Sequence, residues 1–252
     1  MASLTRKKRI LDFVRKEESL TVDELVNRLD VSPATIRRDL VWLEGEGKVV
    51  RLHGAVMDRK RVADEPSFLV KQERFPKGKR KIGQLVADQI PSGATVFIDA
   101  GTTCFEAGVS LLTRGDVRIF TNSLPLMYHS ASTGLKVTSI GGEVRGLTGA
   151  VVGTMALDWI RHLNFDYGVV GASAINLETG VMTTELSEAG VKRSIIETSH
   201  ISILAADSAK VGERATVQFA DWEAFQIWVT DKVFDRDSAV KMPKNLSVLE
   251  CE

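Results

Sequence analysis

Small and polar residues cluster where the short apolar runs in the second half of the chain end. Small residues let backbone N–H groups approach an anion closely, and hydroxyl groups add further donors. A loop of this kind, taken alone, is more often an ordinary turn, but five such loops (one of them residues 171–173) favour a phosphate site. The candidate residues in the other four loops are Asp99, Gly101, Thr102, Thr103, Thr121, Asn122, Ser123, Gly141, Gly142, Asp207, Ser208 and Lys210.

A second chemistry, contact with DNA, is indicated near the start of the chain. Ser32 can cap a helix, and Pro33 suits the first helical position because its missing N–H is not needed there. The apolar stripe of this helix leaves Thr35, Arg37 and Arg38 outside the predicted core. Because arginine can bind guanine edges or phosphate, the pattern predicts a recognition helix in a major groove.

The flanking residues predict a helix-turn-helix with a wing. Thr21 and Glu24 have the spacing of a capping box, which would open a short helix before the recognition helix. Residues 48–52 have the pattern of a strand and 53–54 that of a turn, which together give a candidate wing. A small three-helix domain for protein contacts is the alternative. The candidate DNA-contacting residues are Thr21, Ser32, Pro33, Thr35, Arg37, Arg38, Lys48, Arg51 and His53.

Charge is unevenly distributed, although the net formal charge of the 252 residues is zero. Residues 1–81 contain 20 Lys and Arg against 13 Asp and Glu, whereas residues 82–252 contain 13 against 20. A basic first part is typical of a protein that meets a polyanion, although chance clustering of solvated charges would give the same imbalance.

Several other classes of function find no support in the sequence. The four histidines and two cysteines have no metal-ligand spacing, so no metal site is predicted. Cys104, at a predicted helix start, could favour a thiolate, but a silent buried thiol is the simpler interpretation. There is no dinucleotide or nucleoside-triphosphate motif, and hence no cofactor is expected. The absence of a long apolar stretch and of a disulfide pattern predicts a cytoplasmic protein without a membrane partner.

Alternating helical and strand patterns from residue 82 onward predict an α/β domain with a largely parallel sheet. Ligands of such sheets lie beyond the carboxyl ends of the strands, where the polar loops are. The predicted organisation is a DNA-binding domain at 1–57, a linker at 58–81, and the α/β domain at 82–252. The predicted strands are 94–98, 117–120, 136–140, 167–170, 201–205 and 225–229.

The first part of the chain resembles the DeoR family of regulators. The matching segments are 31–40 (VSPATIRRDL), Leu43-Glu44 followed by Gly47, and 51–54 (RLHG). The family usually has a second glycine where this chain has Ala55. The resemblance implies a winged helix-turn-helix that binds double-stranded operator DNA. We expect a homo-oligomer, at least a dimer, whose paired helices and wings bind repeated operator sites.

The second part resembles the sensor domain of the same family, which is similar in fold to ribose-5-phosphate isomerase. The matching segments are 99–103, 121–123, 141–142, Gly180, 188–193 and 206–210. The resemblance implies that a phosphorylated sugar or a related metabolite binds there. Its phosphate would lie among Thr102, Thr103, Asn122, Ser123 and Lys210. Asp99, Glu188, Lys192 and Asp207 would meet its hydroxyls or shape the pocket.

The isomerase likeness makes an enzyme the main alternative. The isomerases carry an Asp-Gly-Ala-Asp segment where this chain has Asp166-Tyr167-Gly168-Val169, so the second acid is missing. Aldose–ketose isomerisation needs a positioned base, and no catalytic residue is therefore assigned. The favoured interpretation is a repressor of a carbohydrate-metabolism operon that the phosphorylated sugar releases from DNA. The third interpretation is an activator or an architectural DNA-binding protein with a vestigial pocket.

Overall fold

A computed structural model describes residues 3–17, 20–46, 48–52, 55–58, 65–232 and 242–251. The chain forms two compact units, Met1–Pro66 and Ser67–Glu252. None of the helices in these described stretches is both long enough and apolar enough to cross a membrane.

The first unit contains three helices and a small antiparallel sheet. The order is α1 (Ser3–Lys16), β1 (Leu20–Thr21), α2 (Val22–Leu29), α3 (Pro33–Gly45), β2 (Val49–Leu52) and β3 (Ala55–Asp58). The strands pair in the order β1-β3-β2. The core includes Ile10, Leu25, Ile36, Leu40 and Leu43, all fully buried, so the predicted stripe of α3 is the face that packs.

The predicted helix caps of this unit are present in the structure. The capping box is confirmed, because the Thr21 side chain accepts from the N–H of Glu24 and the Glu24 carboxylate accepts from the N–H of Thr21. Ser32 accepts from the N–H of Thr35, and Pro33 occupies the first turn of α3. The wing hairpin is β2 paired with β3, a partner strand that the sequence analysis did not assign. The predicted turn at 53–54 lies outside the described residues.

The second unit is built on a seven-stranded parallel sheet, which confirms the α/β prediction. Its strand order is β15-β14-β12-β9-β4-β5-β6. These strands are β4 (Thr95–Ile98), β5 (Arg118–Thr121), β6 (Thr138–Ser139), β9 (Phe165–Val170), β12 (Ser199–Ala205), β14 (Ile227–Thr230) and β15 (Ser247–Glu250). Strand β15 was not predicted, whereas the other six overlap the six predicted strands.

Helices lie between these strands, and two apolar cores cover the two faces of the sheet. The helices are α4 (Phe68–Glu73), α5 (Pro76–Asp88), α6 (Thr102–Arg114), α7 (Leu124–Thr133), α8 (Thr154–Arg161) and α9 (Leu186–Glu197). Val96 and Ile98 of β4 pack in the core with α5 and α6, and Phe97 between them packs in the core with α8 and α9. Alternate residues of one strand thus serve opposite faces, as the strand period of two requires.

Two small antiparallel elements complete the second unit, and neither was predicted. One is a hairpin of β7 (Glu143–Arg145) and β8 (Ala150–Val152). The other is a sheet of β10 (Ala174–Asn176), β11 (Gly180–Thr183) and β13 (Val217–Ala220), in the order β10-β11-β13. Helix α5 begins at Pro76, inside the segment 58–81 that was predicted as a linker, because the proline occupies its first turn.

Candidate functional site

The exposed side of α3 carries the residues expected to contact DNA. Ser32, Pro33, Arg37 and Arg38 are exposed, and Thr35 is half-buried with its hydroxyl 2.9 Å from that of Ser32. Two consecutive exposed arginines therefore lie near the beginning of a capped helix. This is the side of a recognition helix that can reach base edges and phosphates.

The opposite side of α3 is held by an ion pair that sequence reasoning missed. The carboxylate of Asp39 accepts from Nε of Arg6 on α1, and both side chains are largely buried. Because Asp39 directly follows the two exposed arginines, this contact with α1 fixes the rotation of the helix at the point where they leave it.

The remaining predicted DNA contacts lie around α3. Thr21 caps α2 and is exposed, as is Lys48 just before β2. The Nζ of Lys48 lies 5.3 Å from the ring centroid of Trp42, and that of Lys7 lies 3.8 Å from it. The ring of Trp42 thus makes cation–π contacts with two lysines, which favours a packing role for this residue over direct contact with DNA bases. The backbone of Arg51 belongs to β2, whereas its side chain and the whole of His53 lie outside the described part.

In the second unit, a buried ion pair lies at the carboxyl edge of the central sheet. Asp99 follows β4, and its Oδ2 accepts from Nζ of Lys192 on α9 and from the N–H of Gly171, the latter at 3.2 Å. Asp99 is 2% and Lys192 4% exposed. The structure therefore brings together a loop residue, a helix residue and the end of β9 that are far apart in sequence.

A second buried carboxylate extends this pair into a network. Glu188 on α9 accepts at Oε1 from the hydroxyl of Thr148 at 2.6 Å and from Nη1 of Arg145 at 3.1 Å. Its Oε2 accepts from the hydroxyl of Thr183 at 3.5 Å. Burial by itself would lower the pKa of Lys192, but the carboxylates of Asp99 and Glu188 outweigh it and raise that pKa. The candidate site therefore holds a buried ammonium group that is paired with Asp99 and stabilised by the charge of Glu188, an arrangement suited to a polyhydroxylated ligand.

The loop after β5 forms another wall of the same edge. The side-chain carbonyl of Asn122 accepts from the N–H of Ala100 at 2.8 Å, and its amide donates to the carbonyl of Val151 at 3.3 Å. Thr121 donates to the carbonyl of Ile98, and Ser123 caps α7 by accepting from Leu126. These side chains are fully or almost fully buried and engaged, so they shape the loop.

The amino end of α6 offers the donors for an anion. Gly101 precedes the helix with φ 147°, and no side chain of its own caps the first turn. A Cβ at this position would meet open space, so the loop is open on that side. Thr102 and Thr103 begin the helix and are buried. Unsatisfied N–H groups and the helix dipole favour negative charge at such an end.

The segment after β12 carries the other predicted cation. Asp207 is 4% exposed, Ser208 and Lys210 are half-buried, and the N–H of Ser208 donates to Oδ1 of Asp231 at 2.6 Å. Lys79 on α5 lies in the field of Asp207 and Lys210 and donates to the carbonyl of Lys71. Burial lowers the pKa of Lys79 to about 8. Its neighbours Lys77, Arg80 and Lys81 give a basic run in the sequence, and only its burial distinguishes Lys79 from them.

Two predicted glycines are not joined to this network. Gly141 lies beside Met155 and Trp159, and Gly142 lies against the carbonyl of Val152. Both follow the short edge strand β6 and are exposed. Their place in a ligand site stays a prediction. Their close neighbours instead favour a structural role in the segment after β6.

Three residues around the candidate site could not be identified from the sequence. Arg145 and Thr148 belong to the β7–β8 hairpin, which was not predicted. The hydroxyl of Thr184, just before α9, is buried and has no hydrogen-bond partner in the described part of the chain. An unsatisfied buried hydroxyl is costly, so this group is suited to a polar atom of a ligand.

Other candidate chemistries are weakened by the geometry. The thiol of Cys104 is buried, and this burial raises its pKa, which disfavours a thiolate. Asp166, the acid that aligns with the isomerases, accepts from the N–H of Thr95 at the amino ends of β9 and β4. It therefore lies at the other edge of the sheet from Asp99. No group of three or more potential metal ligands occurs among the residues described.

Comparisons with known proteins agree with both halves of the structure. The DeoR-like helix-turn-helix domain family matches residues 6–61, and the DeoR C terminal sensor domain family matches residues 74–232. The HTH-type transcriptional regulator GlpR of Haloferax volcanii is 34% identical over 238 residues, which cover 94% of this chain and 93% of the relative. The glycerol-3-phosphate regulon repressor of Escherichia coli K12 is 32% identical over 232 residues, 92% of each chain.

Among solved structures, ribose 5-phosphate isomerase A from Neisseria gonorrhoeae is similar over 54% of this chain and 53% of its own, with 15% identity and a TM-score of 0.40. The relatives that match nearly the whole chain carry the names of regulators and repressors, so this protein is a regulator and not an enzyme. The chain belongs to the DeoR family of transcriptional regulators, with a DNA-binding helix-turn-helix followed by a sensor domain.

Proposed function

We propose that this protein represses a carbohydrate-metabolism operon and leaves its operator when a phosphorylated sugar or polyol binds the sensor domain. The observation that carries the proposal is the buried network of Asp99, Glu188 and Lys192 at the carboxyl edge of the sheet. Glycerol 3-phosphate is the first candidate effector, because one relative is named a glycerol-3-phosphate regulon repressor.

The phosphate is proposed to lie at the amino end of α6 near Thr102, Thr103 and Lys210. The hydroxyls are proposed to meet Asp99, Glu188 and Asp207. Buried carboxylates accept hydrogen bonds from hydroxyls, while helix N–H groups and an ammonium group bind the dianion. The geometry of these groups supports such a division of the site into a cationic and an acidic part.

DNA is proposed to be read by α3, with Arg37 and Arg38 as the central contacts and Lys48 and Arg51 on the phosphate backbone. A two-fold oligomer in the cytoplasm would present two such helices to repeated half-sites. Ligand binding can change DNA affinity only if it favours one conformation over another.

The DNA part is tested by gel-shift titration with the DNA upstream of the neighbouring genes. We expect Arg37→Ala and Arg38→Ala to weaken binding, by about 1–3 kcal/mol for a base contact, or with a salt slope smaller by about one for a phosphate contact. Arg161→Ala, an exposed change in the second unit, is the matched control. Unchanged binding in both α3 variants would exclude this helix as the reader.

The sensor part is tested by adding glycerol 3-phosphate to the same DNA complex. We expect Lys210→Ala to keep its DNA affinity but to need a higher concentration for release, because the phosphate loses a cation. The exposed Lys136→Ala serves as the control. A Lys210→Ala protein that responds as the wild type does would remove this residue from the site.

A further inference from the structure

The turn between β7 and β8, residues 146–149, touches two parts of the second unit at once. On one side, the hydroxyl of Thr148 donates to Oε1 of Glu188 at 2.6 Å, and Arg145 at the start of the turn donates to the same oxygen at 3.1 Å. Nη1 of Arg145 also lies 3.3 Å from the Thr148 hydroxyl. The turn is therefore fastened to a carboxylate of the proposed effector site.

On its other side, the same turn holds the beginning of α4. The N–H of Phe68, the first residue of α4, donates to the carbonyl of Leu147 at 3.0 Å. The Phe68 ring packs edge-on against Phe105 of α6, with 5.8 Å between the ring centroids. Phe68 is the second residue of the second unit, because the first unit ends at Pro66. The turn is thus hydrogen-bonded to the segment with which the second unit begins, directly after the DNA-binding unit in sequence.

The turn and strand β8 after it are also hydrogen-bonded to the segment after β5, which forms another wall of the proposed site. A shift of the turn would therefore affect that segment too. The N–H of Leu124 donates to the carbonyl of Gly149 at 2.8 Å, and the N–H of Val151 donates to the carbonyl of Asn122 at 2.7 Å. Thr148 and Glu188 are each 8% exposed. A ligand hydroxyl that donates to Oε1 of Glu188 would compete with Thr148 and Arg145 for the same acceptor.

We infer that Arg145 and Thr148 are positioning residues that transmit effector occupancy from Glu188, through the 146–149 turn, to the first residue of α4. The inference rests on the proposed function, since it describes how the proposed effector site controls the DNA-binding unit. In the absence of effector, the shared oxygen of Glu188 holds the turn and hence Phe68. When a ligand hydroxyl takes part of that acceptor, the turn shifts and α4 is released from Leu147.

The first experiment needs no effector and uses the full chain. Thr148→Val removes the hydroxyl at nearly constant shape, and Thr148→Ser keeps it as the matched control. We expect the amide of Phe68 to exchange with solvent about fivefold faster in Thr148→Val than in wild type, because its acceptor is held less firmly. Thr148→Ser should exchange as the wild type does. Equal exchange of the Phe68 amide in the two variants would overturn the inference.

The second experiment removes the donor at α4 itself. Phe68→Pro eliminates the N–H at the first helical position, where proline is tolerated, and Ser67 already has the extended backbone (ψ 165°) that proline requires of its predecessor. Phe68→Ala loses the same ring but keeps the N–H. The measurement is the concentration of glycerol 3-phosphate that releases half of the bound DNA, together with its Kd for each protein.

We expect Phe68→Pro to need about tenfold less glycerol 3-phosphate than Phe68→Ala to release half of the bound DNA, an ordinary size for a coupling between two sites. It should also bind the ligand more tightly, because the hydrogen bond that binding must break is already absent. Identical release curves for the two variants would refute the transmission. A wild-type protein that glycerol 3-phosphate does not release from DNA would instead reject the proposed effector. In that case, the exchange comparison at Thr148 still decides the structural link.

Discussion

Lys192 illustrates how much depends on a single buried charge. Its ammonium group is paired with the carboxylate of Asp99 and feels the charge of Glu188, and almost nothing of the residue reaches solvent. Removing one partner of a buried ion pair leaves the other charge without compensation, which costs more than the pair itself contributes. The same residue thus serves the proposed effector site and the folding of the sheet edge.

We expect Lys192→Met to lower the free energy of unfolding by about 3 kcal/mol, because Asp99 is left buried and unneutralised. Chemical denaturation monitored by circular dichroism measures this change. Lys136→Met, which removes an exposed ammonium group, should stay within about 0.5 kcal/mol of the wild type. A Lys192→Met protein as stable as this control would mean that Asp99 finds another partner or takes up a proton.

Lys79 predicts a dependence of stability on pH. Its pKa is lowered from the ordinary 10.5 to about 8 by burial, so the folded state loses this proton at lower pH than the unfolded chain does. Stability rises with pH wherever the unfolded state binds more protons. We therefore expect the stability of the wild type, relative to Lys79→Met, to rise between about pH 8 and pH 10.5. Denaturant titrations of both proteins across this range measure the difference, and a constant difference would contradict the assignment.

At the scale of the element, α3 depends on a contact made by its buried side. The signals for its start lie in the sequence, since Ser32 and Pro33 define the first turn. The rotation of α3 about its axis cannot be predicted from local sequence, because the bond from Arg6 to Asp39 joins residues 33 positions apart. A recognition helix that can rotate presents its arginines to the groove less accurately.

We expect Asp39→Asn to weaken DNA binding on the order of tenfold, since the neutral amide no longer pairs with the Arg6 guanidinium and α3 is held less firmly to α1. Gel-shift titration measures the affinity, and hydrogen exchange of the α3 amides, expected to quicken, reports the loosening. Asp12→Asn, an exposed change on α1, provides the comparison. If Asp39→Asn and Asp12→Asn bind DNA equally well, the ion pair has no part in positioning the helix.

At the scale of the whole molecule, charge is distributed unevenly along the chain. The excess of positive charge lies in the first 81 residues, which include α3, and the excess of negative charge lies in the rest. A protein with no net charge can therefore still attract DNA through its basic residues. Of the seven excess positive charges in residues 1–81, two lie in the first unit and five in residues 67–81, where the second unit begins.

The proposed repressor is an oligomer, which can be tested on the mass of the assembled protein. We expect light scattering of the purified protein to give at least twice the 27.7 kDa of one chain, because two recognition helices are needed for repeated half-sites. The mass should not change on dilution to the concentrations used in gel shifts. A stable 27.7 kDa particle that still binds the operator with full affinity would exclude the paired arrangement.

Much of this protein was determined by local sequence. The caps at Thr21 and Ser32, the exposed arginines of α3 and six strands of the central sheet follow from propensities and periodicity, which act over a few residues. The carboxyl edge of the sheet could also be predicted as the place of the proposed effector site, since parallel strands bring their ends together.

Only the tertiary structure decided which side chains meet. The β7–β8 hairpin is short and its pattern weak, so neither Arg145 nor Thr148 could be assigned to Glu188 from sequence. The burial that separates Lys79 from its basic neighbours and the rotation of α3 set by Arg6 depend in the same way on packing. The physical reason is that hydrogen bonds and desolvation act through space, between residues whose separation along the chain carries no information about their distance.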